Sequence, residues 1–233
     1  MRAIILAAGV GRRLERFTHD PKCLVKIGAE PLIVRSVRLL NECGIKNITV
    51  VTGYKAGKVK KVIRSYGLKV KTRNNPDFKR GSILSLWQGM CGVKGGLIIM
   101  DADLYFEKGV MQKMADSKKK DFFLIDTTSG KDSEAVNVGF RLSRAVALAR
   151  GLKGKYAICG EWAGILKISE RCAAALKDIC RNKVSSGETD TGYEFIIPEL
   201  FKNHRISYEL IDGMKWVEID FPKDVKRARG LSC

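Results

Sequence analysis

The sequence predicts an α/β fold with helices covering a sheet, and three observations carry that expectation. Over roughly the first 100 residues the apolar positions switch repeatedly between a strand-like run and a helical period. The runs "RAIILA", "ITVVTG" and "GGLIIM" are short and almost continuously apolar, as strands buried on both faces are. Glycine and proline punctuate the changes of period, and no internal repeat or low-complexity linker interrupts them.

The elements follow in order. "RAIILA" is a buried strand, and "PLIVRSVRLLNECG" is a helix with Pro31 near its first turn and Gly44 as its stop. "IKNITVVTG" is the second strand, "KAGKVKKVIRSYG" the second helix and "LKVKTR" the third strand. After the loop "NNPDFKRG" come a helix, "SILSLWQGMC", and a strand, "GGLIIMDADLYF", whose apolar run ends in Asp101 and Asp103. The second half is less regular. "DFFLIDTT", "EAVNVGFRL" and "ICGEWAGILKIS" read as strands, and "SERCAAALKDICRN" as a helix capped by Ser169. "TGYEFIIPELFKN" reads as a helix bent or interrupted at Pro198, "KWVEID" as a final strand and "FPKDVKRAR" as a terminal helix. The chain of 233 residues is expected to form one domain, 1–233, in which 111–233 completes the sheet begun by 1–110 and adds a small substrate-facing lobe.

Composition narrows the function classes. No run of eighteen apolar residues and no cleavable leader pattern occurs, so a soluble, cytoplasmic protein is expected. Seven cysteines, Cys23, Cys43, Cys91, Cys159, Cys172, Cys180 and Cys233, are scattered without C-x-x-C pairs, which signals neither a disulfide frame nor a zinc site. With His19 and His204 alone, a histidine-based metal site or triad is not expected. The formal charge of +18 makes nucleic acid, an anionic membrane surface or phosphorylated small molecules plausible partners. The basic runs "KAGKVKKVIR", "KVKTR" and "DSKKKD" lack interleaved aromatics, so they read as solvated faces and no nucleic-acid partner is expected. The scarcity of glutamine beside abundant lysine suggests a heat-adapted source.

In "LAAGVGRRL", Gly9 and Gly11 follow the first strand directly and offer backbone N–H groups to phosphate oxygens. A dinucleotide fingerprint would need glycine where Leu14 stands, and an acid where the second strand ends in Thr52. A P-loop would need a Gly-Lys-Ser or Gly-Lys-Thr ending, which is missing. A nucleotidyltransferase loop, in which basic side chains grip a triphosphate, is suited by Arg12, Arg13 and Lys22.

Gly9, Gly11, Arg13 and Leu14, followed by Pro21 and Lys22, resemble the signature of the nucleotidyltransferases that join a nucleoside triphosphate to a phosphorylated sugar or small alcohol. The resemblance runs on through "TGY", "NNPDFKRGSILSLW", "DADLYF" and "EID", so it covers most of the chain. It implies a Rossmann-like three-layer sandwich with a mixed, mainly parallel sheet, 1–110 being the nucleotide-binding half and 111–233 the acceptor-binding half. It also implies the reaction: a phosphate oxygen of the acceptor attacks the α-phosphorus in line and pyrophosphate leaves. Charge gathers on the phosphate oxygens, so positioned cations and a magnesium ion supply the catalysis. By matching positions Arg13 holds the leaving phosphates and Lys22 bridges acceptor and α-phosphate.

The metal carboxylates implied by the resemblance are Asp103 and, from far along the chain, Asp220. Asp101, two positions from Asp103 on an extended segment, is a third candidate, and Glu218 alternates with Asp220. Asp220 also precedes Pro222 and a helix, so an N-cap role competes. For the base the resemblance points to Leu6, Ala8, Gly53, Tyr54, Asn75, Gly81 and Ser82.

The acceptor side is expected to draw on Glu161, Trp162, Asp190 and Tyr193, with Trp216 as a further aromatic. Trp162 stands where many sugar-phosphate members have asparagine, so the chain resembles the members that use CTP and a phosphorylated alcohol. A choline head would need an aromatic and acidic cage, and a polyol phosphate would need hydroxyl-binding carboxylates and amides. The basic charge and heat-adapted composition favour inositol 1-phosphate, with phosphocholine next, over a sugar 1-phosphate with UTP or dTTP. A non-catalytic nucleotide- or nucleic-acid-binding module is the reading outside the enzymes. Cytidylyltransferases for inositol 1-phosphate in heat-loving organisms are often joined to a membrane-embedded phosphotransferase. The resemblance thus implies a longer chain, with the basic face meeting an anionic membrane surface at the inner membrane face.

Overall fold

The computed structural model describes residues 1–15, 17–129 and 135–231, so Cys233 and the first residue of "EAVNVGFRL" lie outside the described residues. In chain order the elements are β1 (Arg2–Ala7), β2 (Lys26–Ile27), β3 (Glu30–Pro31), α1 (Leu32–Glu42), β4 (Ile48–Thr52), α2 (Ala56–Ser65), β5 (Lys71–Asn74) and α3 (Ser82–Met90). They continue with β6 (Leu97–Asp101), β7 (Leu104–Phe106), α4 (Lys108–Asp116), β8 (Phe122–Asp126), β9 (Val136–Arg141), β10 (Arg144–Arg150) and β11 (Ile158–Ile168). The chain then forms α5 (Glu170–Ser185), a 3-10 helix over Tyr193–Lys202, β12 (Ser207–Leu210), β13 (Trp216–Glu218) and α6 (Pro222–Gly230).

The main sheet runs β10-β9-β11-β6-β1-β4-β5, with β8 against β11 and β12 against β8. Strands β6, β1, β4 and β5 are mutually parallel, while β11 runs antiparallel to β6, β8 and β9, so the sheet is mixed. Side chains alternate across it. Ala3, Ile5 and Ala7 of β1 join one core with Val37 of α1 and Met114 of α4, and Ile4 joins another with Leu86 of α3 and Leu176 of α5. That is a three-layer sandwich, as expected, and burial on both faces explains the continuous apolar runs. Ser169 caps α5 by accepting from the amide of Cys172 at 3.3 Å.

Three features differ from the expectation. The strand "GGLIIMDADLYF" is two strands: β6 stops at Asp101, and after a turn β7 leaves the main sheet to pair antiparallel with β13. The segment before the last helix therefore belongs to a two-stranded sheet of its own. The segment around Pro198 is a 3-10 helix throughout, as suits a stretch whose proline brings no amide donor for an α-helical bond. Strands β10 and β12 and helix α4 are absent from the sequence reading, and β10 hides its alternation behind a register shift between Ala145 and Ala147.

A third, smaller core positions the site. It joins Leu14 of the glycine loop and Val25 beyond Lys22 to Tyr105 of β7, Val217 of β13, Ile219 and Val225 of α6. Packing thus ties the segment bearing Arg13 and Lys22 to the segments bearing Asp103 and Asp220.

Candidate active site

The parallel strands set the floor of a cleft. Leu6 of β1 is level with Asp101 of β6, so the glycine loop and the Asp101 turn leave the sheet at the same height. At this carboxyl edge a cleft of about 430 Å³ opens, lined along one side by Leu6, Ala8, Gly9, Gly11, Arg12, Arg13 and Lys22. Asp101, Asp103, Glu218 and Asp220 face these residues, and Ser82, Trp162, Tyr193, Glu194 and Arg150 close the far end.

Gly11 has φ +69°, and a Cβ there would sit 2.5 Å from Cγ of Lys22. The glycine supplies a left-handed turn and leaves space for the lysine stem to lie across the loop. The Nζ of Lys22 donates to Asp103 at 3.2 Å and also to Asp220, and Arg13 Nη1 reaches Asp220 at 3.1 Å. Burial opposes a charge on Lys22, but Asp103 and Asp220 outweigh it and raise its pKa, so the ammonium is held charged. The guanidinium of Arg13 also stacks over Phe221 with Cζ 5.2 Å from the ring centroid.

The acids meet through the small sheet. β13 pairs with β7, and the amide of Ile219 donates to the carbonyl of Asp103 at 2.9 Å. One oxygen from each of Asp103, Glu218 and Asp220 lies within 4.8 Å of the others. An all-carboxylate set of this span fits a hard divalent cation such as magnesium, which these three residues could hold. Glu218 stands on the open side of the cleft. Its carboxyl is pushed up, first by desolvation among the cleft walls and then by the charges of Asp103 and Asp220. The competing cap role falls elsewhere: Asp224 accepts from the amides of Asp220 and Phe221 at 3.0 and 2.7 Å, leaving the Asp220 carboxylate to the cleft.

Asp101 stands apart from the three. Strand β6 ends there, so the alternation that would put Asp101 and Asp103 on one side does not continue through the turn. Its carboxylate accepts from the phenol of Tyr193 at 3.0 Å, and burial and then Asp103 raise its pKa.

The residues expected around the nucleotide divide. Leu6, Ala8, Gly9, Gly11 and Ser82 line the cleft; Gly53, Tyr54, Asn75 and Gly81 do not. The Asn75 side chain donates to Ser85 at 3.0 Å and accepts from the amide of Asp77 at 3.0 Å. A Cβ at Gly53 would lie 2.5 Å from Cβ of Phe78, and one at Gly81 1.9 Å from the carbonyl oxygen of Thr191, so both glycines serve close backbone packing. The amide of Tyr54 donates to the carbonyl of Ala8 at 3.0 Å.

The acceptor residues divide as well. Trp162 and Tyr193 line the cleft and meet edge to face, with centroids 5.7 Å apart. Asp190 lies on the surface in an ion pair with Arg80 at 3.0 Å, and Glu161 is on β11 outside the cleft lining. Trp216 is buried with its Nε1 donating to Asp126 at 2.8 Å, so it supplies no wall. Glu194 and Arg150, 3.9 Å apart, line the cleft in their place. Desolvation raises the Glu194 carboxyl.

Residues 3–187 match the profile of the MobA-like NTP transferase domain. The chain is 26% identical over 240 residues to a bifunctional IPC transferase and DIPP synthase of Thermococcus kodakarensis, a match that covers 99% of this chain and 50% of that protein. It therefore spans about half the length of that relative. Its fold superposes with TM-score 0.79 on the inositol-1-phosphate CTP transferase from T. maritima, at 18% identity, covering 100% of this chain and 98% of the other. The CTP:phosphocholine cytidylyltransferase of Streptococcus pneumoniae gives the same TM-score, 0.79, at 22% identity, covering 98% and 97%.

Proposed function

The chain belongs to the MobA-like NTP transferase domain family, and from that premise we propose that it is a cytidylyltransferase, transferring CMP from CTP to a phosphorylated small alcohol and releasing pyrophosphate. The observation that carries this reading is the meeting of Arg13 and Lys22 with Asp103 and Asp220 at one end of a single cleft. Phosphoryl and nucleotidyl transfer depend on positioned charge, and this end of the cleft concentrates it. Lys22 is poised to hold the α-phosphate and the attacking phosphate together, and Arg13 to hold the leaving phosphates. Gly9 and Gly11 line the same cleft. Magnesium held by Asp103, Glu218 and Asp220 would supply Lewis-acid neutralisation of the phosphate oxygens.

The far end favours inositol 1-phosphate, with phosphocholine second. Trp162 and Tyr193 are 5% and 3% exposed and turn edges to each other, so they offer little open π-face to a quaternary ammonium. Asp101, Glu194 and Arg150 offer acceptors and donors that suit hydroxyl groups. The T. maritima structure is named for inositol 1-phosphate and the Streptococcus pneumoniae structure for phosphocholine, so likeness supports both acceptors equally.

The test is pyrophosphate release with each nucleoside triphosphate, magnesium and a panel of phosphorylated alcohols and sugars. CTP with inositol 1-phosphate is expected to give the highest kcat/KM. Release confined to UTP or dTTP with a sugar 1-phosphate would replace this reading, and no release with any pair would end it.

A further inference from the structure

We propose that the opposite edge of the sheet carries a second, non-catalytic anion site that takes a phosphate group attached to a small apolar body. The active-site cleft opens where β1 and β6 end. A separate cavity of about 360 Å³ opens where β1, β4 and β5 begin, on the order of 15 Å away along the strands.

Its lining is chemically one-sided. Arg2, Lys46, Lys69 and Lys71 contribute four cations from three converging segments, and among the described residues no carboxylate lines the cavity. Lys46 is tethered, its Nζ donating to the carbonyl of Asn41 at 2.7 Å. Among the described residues Lys69 and Lys71 form no ion pair with a carboxylate, and both are exposed. The floor is apolar: Ala3, Ile4 and Ile48 are buried, and Val70 and Val93 are half-buried.

Two of the three segments that line the cavity come from a strongly basic part of the chain. Residues 43–100 hold twelve lysines and arginines against a single acid, Asp77, so this stretch carries most of the chain's excess of +18. Repulsion among uncompensated cations is relieved when an anion enters, and an apolar floor rewards a ligand with more than a bare phosphate. Nothing in the proposed transfer reaction uses this edge, so the inference stands apart from that reading.

Two sources share this chemistry, a soluble phosphorylated compound and a phospholipid headgroup, and two arms separate them. In the first, inorganic pyrophosphate is titrated into the ¹⁵N-labelled chain while the amides of Lys46, Asn47 and Lys71 are followed beside those of Gly9 and Gly11. Saturable shifts at the first group are expected. They should be weakened at least tenfold in the Lys69→Ala/Lys71→Ala variant and by raised salt, with the Gly9 and Gly11 shifts retained. In the second, flotation with phosphatidylglycerol vesicles is compared with flotation with phosphatidylcholine vesicles. Binding to the anionic vesicles that is lost in the same variant assigns the site to a lipid headgroup. Shifts confined to Gly9 and Gly11, together with equal flotation of wild type and variant, would overturn the proposal. Both lysines are exposed, so the variant is expected to fold, and its pyrophosphate release should match wild type.

Discussion

The Nζ of Lys22 lies 3.2 Å from the carboxylate of Asp103 and contacts Asp220 as well, so one ammonium occupies the space between two acids that could hold a metal ion. Lysine and divalent cation are then competitors for the same carboxylates. Lys22→Met should lower turnover by about 10²–10³-fold, the scale for a lost charge-stabilising group. The same variant should bind Mn²⁺ about tenfold more tightly, because the competing charge is gone while the carboxylates remain. Isothermal titration with Mn²⁺ reads this directly, and weaker binding in the variant would show that Lys22 organises the acids without competing for them.

Asp101 and Asp103 should separate in the same measurement. Asp103 belongs to the group of three oxygens within 4.8 Å, whereas Asp101 is engaged by Tyr193 at 3.0 Å. Asp103→Asn is expected to weaken Mn²⁺ binding more than tenfold, and Asp101→Asn by about twofold or less while raising the acceptor KM. Equal losses from the two variants would put Asp101 among the metal ligands.

The sequence made some of this legible and hid the rest for physical reasons. Strands buried on both faces write themselves as apolar runs, so β1, β4 and β6 could be read locally. The glycine loop was readable because its chemistry is contiguous in the chain. The resemblance points to Gly53 and Gly81 for the base, but their space is closed by Phe78 and Thr191, which nothing local announces. Glu194 and Arg150 escaped notice because a 3-10 segment and an edge strand bring them to the cleft from unrelated places. The ambiguity at Asp220 had a local signal: a second acid, Asp224, stands at the third helical position, where it can take over the cap.

Asp126 should be a stability determinant with a defined pH sign. Its buried carboxylate accepts from the amide and hydroxyl of Thr128, the amide of Ser129 and Nε1 of Trp216. Desolvation works against the charge, but the donors from Thr128 and Trp216 prevail and lower the pKa from its ordinary 3.8. A lowered folded-state pKa gives stability that is complete above about 3.8, the unfolded value, and is lost as pH falls through the folded value. Asp126→Ala is expected to cost on the order of 3 kcal/mol in urea denaturation at neutral pH, and the difference from wild type should shrink only in strong acid. A difference that is unchanged in strong acid would assign the loss to packing around Trp216.

Gly11 and Gly9 give a paired test of why the loop needs glycine. At Gly11 the backbone is left-handed, φ +69°, and a Cβ would sit 2.5 Å from Cγ of Lys22; at Gly9 no atom lies within 4 Å of the added Cβ. Gly11→Ala therefore combines roughly 1 kcal/mol of backbone strain with a displaced lysine stem. Because Lys22 is placed by that stem, a shift of about 1 Å in its ammonium should lower kcat by about 10²-fold, with a much smaller fall in Tm. Gly9→Ala should hold kcat and raise KM for the nucleotide, because the added methyl meets no protein atom but stands where bound phosphates approach the loop. Wild-type kcat in Gly11→Ala would mean that the lysine finds its position without the turn, and the glycine would then be left with a purely conformational role.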